Sequence, residues 1–441
     1  MYLFLCNRIV LRRTGIMLQK QPAAGGKFIL NITVKFEKNR KGFDFLQKKR
    51  NYRLLIFGLL LADMCFMTAF GIDYLKKVIP DTIYIRQGQE RGVSQMLDYP
   101  FVTYSKSIDV SKNGSYQIPC YFLDMVYLKD VQVETAEEKW VAICGVPVGL
   151  YMETHGVLVV DTGEITGKDG VQVEPAAHIA KSGDYILEVN GTPVLGKRDL
   201  IKNIEASHGE TMELLVNRNG EKIPLSISPV LDQNEKYKLG LWVRDNTQGI
   251  GTMTYIDEKG NFGALGHGIS DTDTGELLDI SEGELYESQI VSIKKGAKGM
   301  PGELSGYIEY EQEKKIGIIE KNTELGVFGE VFDVERLPYQ KVMVGYQQEV
   351  KEGKAKLLTN LNEEVNAYDI EITEIYRNKS KTNKAFEIQV TDPELLEKTG
   401  GIVQGMSGSP ILQDGKLIGA VTHVFVQDSS KGYGIFIENM L

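Results

Sequence analysis

Hydrophobic and polar positions along this 441-residue chain change rhythm several times. Residues 54–72 are a run of nineteen mainly apolar positions, about the length a helix needs to cross a bilayer. Residues 80–115 mix polar residues with isolated apolar ones and read as a linker, with Asn113-Gly114-Ser115 as a turn. Short strand-like stretches follow, among them residues 131–133 and 140–143. Residues 184–189 alternate like a half-buried strand and end in Asn190-Gly191, a strong hairpin signal. Leu200, Ile201 and Ile204 fall on one face of a helix predicted from about Arg198 to Ser207, with Gly209 placed to stop it. Residues 212–216 and 223–227, split by 217–220, form a closing hairpin. After Pro229, residues 240–244 and 249–256 open a series of strands and turns that runs to the end of the sequence. The fold class predicted is mainly β behind one apolar helix.

Charge gives the helix a direction. Residues 1–53 hold 13 Lys/Arg against 2 Asp/Glu, a charge of +11, whereas the whole chain carries −10, so the remainder carries −21. The basic block directly precedes the apolar run, which makes it a positive cytoplasmic flank rather than a nucleic-acid site; the acidic part is expected outside. Asp63 opposes this reading, since a carboxylate near the bilayer centre costs about 2.5–3.5 kcal/mol on insertion scales. Lys76, Lys77 and Pro80 mark an end where a span should stop. With no small-residue cleavage site, an uncleaved anchor over 54–75 is expected behind a basic tail, 1–53. Residues 1–45 show no clear periodicity, and Met17 is an alternative initiator. The domains expected beyond are a linker with strands over 76–145, a peptide-binding module over 146–230 and a catalytic domain over 231–441. Four cysteines make no disulfide framework and show no metal spacing; Cys120 and Cys144 are left as either one bridge or two thiols.

The chemistry concentrates in Gly405-Met406-Ser407-Gly408-Ser409-Pro410, which reads G-x-S-G-x-P, the nucleophile loop of chymotrypsin-like serine peptidases. A serine hydroxyl needs a neighbouring base and donors for the oxyanion its attack creates. Glycines permit the tight turn that aims the Gly405 and Ser407 N–H groups at one spot, so these two form the expected oxyanion hole. Only five histidines are present. His267 lies between glycines at a predicted strand end and is the candidate base; His423, on an alternating strand sixteen residues after Ser407, is its rival. His155, His178 and His208 read as surface or packing residues. Asp392, ending the run 385–392, is the candidate third member, although Asp392-Pro393 is equally a helix N-cap signal. Asp271 and Asp273 look like a solvated turn.

The order of elements in 146–230 resembles a PDZ domain. Val148-Gly149-Leu150 is placed as the loop whose N–H groups receive a chain-terminal carboxylate, beside a sheet edge on which a peptide adds as a strand. Residues 263–268, 388–392 and 400–410, carried after an anchor and this module, resemble the stage IV sporulation protein B family from about residue 54 onward. The resemblance implies a chymotrypsin-like double β-barrel with His267, Asp392 and Ser407 in the catalytic positions, and no cofactor or metal. It implies further a peptidase acting between the two membranes around the forespore. Its partners would be itself as a substrate and a membrane-bound inhibitor of an intramembrane metalloprotease, whose cleavage activates the late mother-cell sigma factor. Periplasmic stress proteases share the constellation but place the peptidase before the PDZ domain. The other readings are an inert membrane-tethered PDZ adapter and a Ser–Lys peptidase.

Overall fold

The computed structural model describes residues 8–11, 16–22, 28–34, 42–85, 93, 97–104, 116–135, 138–337, 340–361, 364–376 and 382–441. Two units are present, Met1–Tyr74 and Leu75–Leu441. In the first, Arg8–Leu11, Ile16–Pro22 and Phe28–Val34 pair as an antiparallel sheet, where the sequence reading expects an unpatterned tail. The helix Gly42–Val78 follows. Its segment Leu55–Val78 contains an 18-residue apolar window with a mean hydropathy of 2.1 that none of the described residues buries, which makes it a candidate membrane anchor.

The expected linker is a small sheet in its own right. Thr82–Ile85 pairs parallel to Val126–Thr135, which pairs antiparallel to Tyr116–Phe122, and that in turn to Val102–Tyr104. Ile83, Ile85, Leu97, Ile118, Cys120, Leu128, Val131 and Val133 are among its buried residues. Asn113-Gly114-Ser115 lies outside the described residues.

Two six-stranded antiparallel barrels carry the rest. In the first, Pro147–Thr162 pairs with Leu241–Ile256, then Asn261–Ala264, Gly326–Val331, Lys315–Thr323 and Ile280–Lys294, which pairs back to Pro147–Thr162. Its core includes Val148, Leu150, Met152, Met253, Phe262, Leu285 and Val327. In the second, Gly353–Asn360 pairs with Val365–Ile375, Phe386–Val390, Asp428–Phe436, Lys416–Phe425 and Pro410–Gln413, which closes on Gly353–Asn360. Phe386, Phe436, Met406 and Ile411 lie in that core. Val141, Ile143, Tyr255, Leu417 and Ile435 form a separate apolar cluster.

The PDZ-like module is inserted into the first barrel. Pro147–Thr162 and Leu241–Ile256 are each sixteen residues long and pair from Pro147/Thr252 to Glu153/Asn246 and, after a register shift, from Leu158/Arg244 to Thr162/Leu241, so one ribbon enters both bodies. The module's core takes Val157, Val159, Ile186, Leu200, Ile204, Met212 and Leu239. This corrects the expected boundaries at 146 and 231. Residues 140–152 belong to the peptidase side, because their buried faces have partners only there, whereas Leu239, Leu241 and Val243 pack in the module. The predicted helix is Lys197–Ala206, with Leu200 and Ile204 buried but Ile201 54% exposed, a narrower apolar face than expected. Cys120 and Cys144 are buried free thiols in different cores, their pKa pushed up by burial to about 11 and about 12.

Candidate active site

The turn around Ser407 depends on its glycines. Gly405 has φ 97° and Gly408 φ 93°, both in the left-handed region, and a side chain at Gly408 would strike the Thr252 carbonyl at 2.0 Å. Turn hydrogen bonds use the Met406, Gly408 and Ser409 amides, to the carbonyls of Val403, Val421 and Met406; none of them uses Gly405 or Ser407 N–H. The first barrel grips the loop. Thr252 N–H donates to the Ser407 carbonyl (3.0 Å), Thr252 Oγ1 to the Gly405 carbonyl (2.8 Å) and Thr254 Oγ1 to the Gly408 carbonyl (2.7 Å). Sequence reading missed both threonines, because their role comes from a contact more than 150 residues away. The Ser407 hydroxyl is half-buried and donates to the Thr422 carbonyl at 2.8 Å.

His267 arrives from the other barrel. Asn261–Ala264 ends in two consecutive left-handed residues, Leu265 and Gly266, each with φ 67°. A leucine in that region is uncommon and costly, and Leu265 holds it by donating its N–H to Thr252 and packing on Gly251. The turn swings the imidazole to 5.1 Å, centroid to centroid, from the His423 ring. His423 follows Thr422, the acceptor of the Ser407 hydroxyl. His267 Nδ1 lies 2.8 Å from the Gly268 carbonyl. A carbonyl can only accept, so Nδ1 carries the proton and Nε2 is the free lone pair a general base needs. Burial pushes the His267 pKa down, partly offset by that carbonyl. His423 is pushed down to about 4 by burial first, then by His267 and Lys384; its Nδ1 is buried with no hydrogen-bond partner. Both rings are neutral at pH 7. Lys384, seated over the Tyr433 ring at 5.5 Å, is a further neighbour that sequence reading missed.

Asp392 does not join them, which corrects the expected triad. It is the N-cap of the helix Pro393–Thr399: Oδ1 accepts from the Glu394 and Leu395 amides at 2.9 and 3.2 Å, and Oδ2 from the Asp369 amide at 3.1 Å. Burial raises its pKa, but the Asp369, Leu395 and Glu394 amides and the Lys356 charge outweigh that and hold it below the usual carboxylate range. Neither the hydrogen bonds nor the charges acting on His267 include Asp392. Asp271 is also not solvated. It is 3% exposed, paired with Arg244 and accepting from the Asp273 and Thr274 amides, so it anchors the loop that follows His267.

Val148-Gly149-Leu150 cannot receive a carboxylate as proposed from sequence. The three residues sit mid-strand, opposite Gly251-Ile250-Gly249 on one side and Glu287-Tyr286-Leu285 on the other, so both backbone edges belong to ladders. The open edge lies elsewhere. Residues 241–244 pair with Pro147–Thr162 on one side, and no described strand pairs with their other side. The helix Lys197–Ala206 stands by this edge: the Lys197 amide donates to Asp245 at 2.8 Å and its ammonium pairs with the same carboxylate at 3.0 Å.

A barrel pair with a glycine-bounded serine and a neutral histidine delivered from opposite barrels defines a serine peptidase carrying an inserted PDZ-like module. Residues 235–441, a little under half of the chain, match the family model described as SpoIVB peptidase S55. No curated protein matches the chain. Among solved structures, the PDZ domain of the SdrC-like protein from Listeria monocytogenes is 23% identical over 20% of this chain and 87% of its own, with a TM-score of 0.17. The HtrA-type protease AlgW with a decapeptide is 15% identical over 44% of this chain and 51% of its own, with a TM-score of 0.26. The inactive form of Rv3671c from M. tuberculosis is 13% identical over 43% and 77%, with a TM-score of 0.23.

Proposed function

We propose that this protein is a membrane-anchored serine endopeptidase of sporulation, acting between the forespore and mother-cell membranes. It cleaves itself and a membrane-bound inhibitor of an intramembrane metalloprotease, and so triggers the late mother-cell sigma factor. The observation that carries the peptidase reading is the Ser407 turn, gripped by Thr252 and set beside the neutral His267–His423 pair. The S55 match supports the sporulation assignment and Leu55–Val78 supports the anchor.

In the proposed reaction the Ser407 hydroxyl leaves the Thr422 carbonyl by a side-chain rotation and gives its proton to His267 Nε2 as it attacks the scissile carbonyl. The Gly405 and Ser407 amides receive the oxyanion, His267 passes the proton to the leaving amine as the peptide C–N bond breaks, and water, deprotonated by the same imidazole, then hydrolyses the acyl-enzyme and restores the Ser407 hydroxyl. The Gly268 carbonyl takes the orienting position in which other triads use a carboxylate. The PDZ-like module takes its peptide as an added strand on the edge at 241–244, against the helix Lys197–Ala206.

The test is fluorophosphonate labelling and self-cleavage of the full chain. The unmutated protein should show both and Ser407→Ala neither. Their absence from the unmutated protein would instead identify an inert PDZ adapter.

A further inference from the structure

The hairpin joining Tyr116–Phe122 to Val126–Thr135 carries an apolar tip that the peptidase reading leaves unused. Leu123, Met125, Val126 and Tyr127 are exposed, Met125 at 79%, and Phe101 beside them at 65%. Phe101 packs edge-on against Phe122, with ring centroids 6.1 Å apart. The turn is also strained. Leu123 and Asp124 have φ of 53° and 59°, and Phe101 has 66°. Hairpin turns fill such left-handed positions with Asn or Gly, so the leucine keeps an apolar side chain at the tip in spite of a backbone cost.

The same sheet indicates what covers this tip. Val126–Thr135 runs parallel to Thr82–Ile85, with Gln132 opposite Thr82, and Thr82 follows closely on the apolar helix. The hairpin therefore lies on the side from which the chain enters. From Gln132 back to Val126 the strand covers about 20 Å, at roughly 3.3 Å per residue. On that stretch Lys129 donates to the carbonyls of Lys76 (3.2 Å) and Ile79 (2.9 Å), and Tyr99 donates to the Val78 carbonyl at 3.2 Å. Leu75, Val78 and Ile79 are buried. The sheet is thus fixed to the last turn of the candidate span.

We propose that Phe101, Leu123, Met125 and Val126 insert into the headgroup–acyl boundary of the bilayer that Leu55–Val78 enters, giving the sheet a second foothold on the same membrane. The proposal rests on that helix being a membrane span. Asp124, the charge at the apex, keeps the insertion shallow, and Tyr127 belongs at headgroup depth, where an amphipathic ring is stable.

The test uses the full chain in phosphatidylcholine vesicles, with Cys6 and Cys65 changed to serine and a fluorophore placed in turn on Met125→Cys, Met64→Cys and Val171→Cys. Acyl-brominated lipid should quench strongly at 64, at an intermediate level at 125, and not at 171. Quenching at 64 with none at 125 overturns the foothold and leaves the anchor standing. No quenching at 64 overturns the anchor reading and the foothold with it. A label at 125 shielded from aqueous iodide yet insensitive to brominated lipid means that a protein covers the tip, and also overturns the proposal.

Discussion

Asp392 and His423 show at the residue scale how one side chain suits two roles until its partners are known. Asp392-Pro393 reads equally as a helix start and as a triad carboxylate, and the amides of Glu394, Leu395 and Asp369 decide for the helix. Asp392→Asn keeps an acceptor at the cap and should retain both folding stability and kcat. Asp392→Ala should lose about 1 kcal/mol of stability, measured by denaturant unfolding. A kcat collapse in the asparagine variant at unchanged stability would return the carboxylate to catalysis. His423 gives a pH prediction. Its folded pKa of about 4 lies below the roughly 6.5 of an unfolded chain, so the folded state binds fewer protons. The associated stability is complete above about pH 6.5 and is lost as pH falls towards 4. The thermal midpoint of His423→Phe should accordingly fall less steeply than that of the unmutated protein across this window.

At the scale of elements, the strand Leu241–Ile256 does the most. It offers an open edge at 241–244, pairs Arg244 with Asp271 in the loop that follows His267, and grips the nucleophile turn through Thr252. The same loop also packs on the module, with Leu278 against Leu158 and Tyr185 and the Asp279 amide donating to the Tyr185 hydroxyl at 3.1 Å. Under the proposed function, a peptide seated on that edge would have two physical routes to Ser407 and His267. Arg244→Ala should lower kcat/KM for a short peptide substrate while Ser407 stays in place, and the pH–rate profile should shift because the His267 loop is released. Thr252→Val leaves the Gly405 carbonyl unpaired, for a loss of about 1–2 kcal/mol in unfolding and a fall in kcat. A variant with native kcat would show that the grip is structural only.

On the scale of the whole molecule, the first barrel is discontinuous in sequence. Its opening strand, Pro147–Thr162, begins before the inserted module, whereas the family match begins only at residue 235. A fragment spanning 235–441 exposes Met253, Leu285 and their neighbours, because Val148, Leu150 and Met152 are missing from the core. It should therefore aggregate or unfold without cooperativity, whereas 138–441 should show one cooperative transition by circular dichroism. Independent folding of 235–441 would contradict the closed barrel.

What the residues settled on their own was local: the apolar span 54–72, the hairpin after Asn190-Gly191 and the glycine-flanked turns at Ser407 and His267. These follow from nearest-neighbour sterics and short-range polarity, which a linear pattern records. The meeting of His267 with His423, the Thr252 grip and the burial of 148–150 as a barrel strand depend on pairings between residues about 100 to 150 positions apart. Strand registers carry no local mark of their partner, so only the closed tertiary structure decided them.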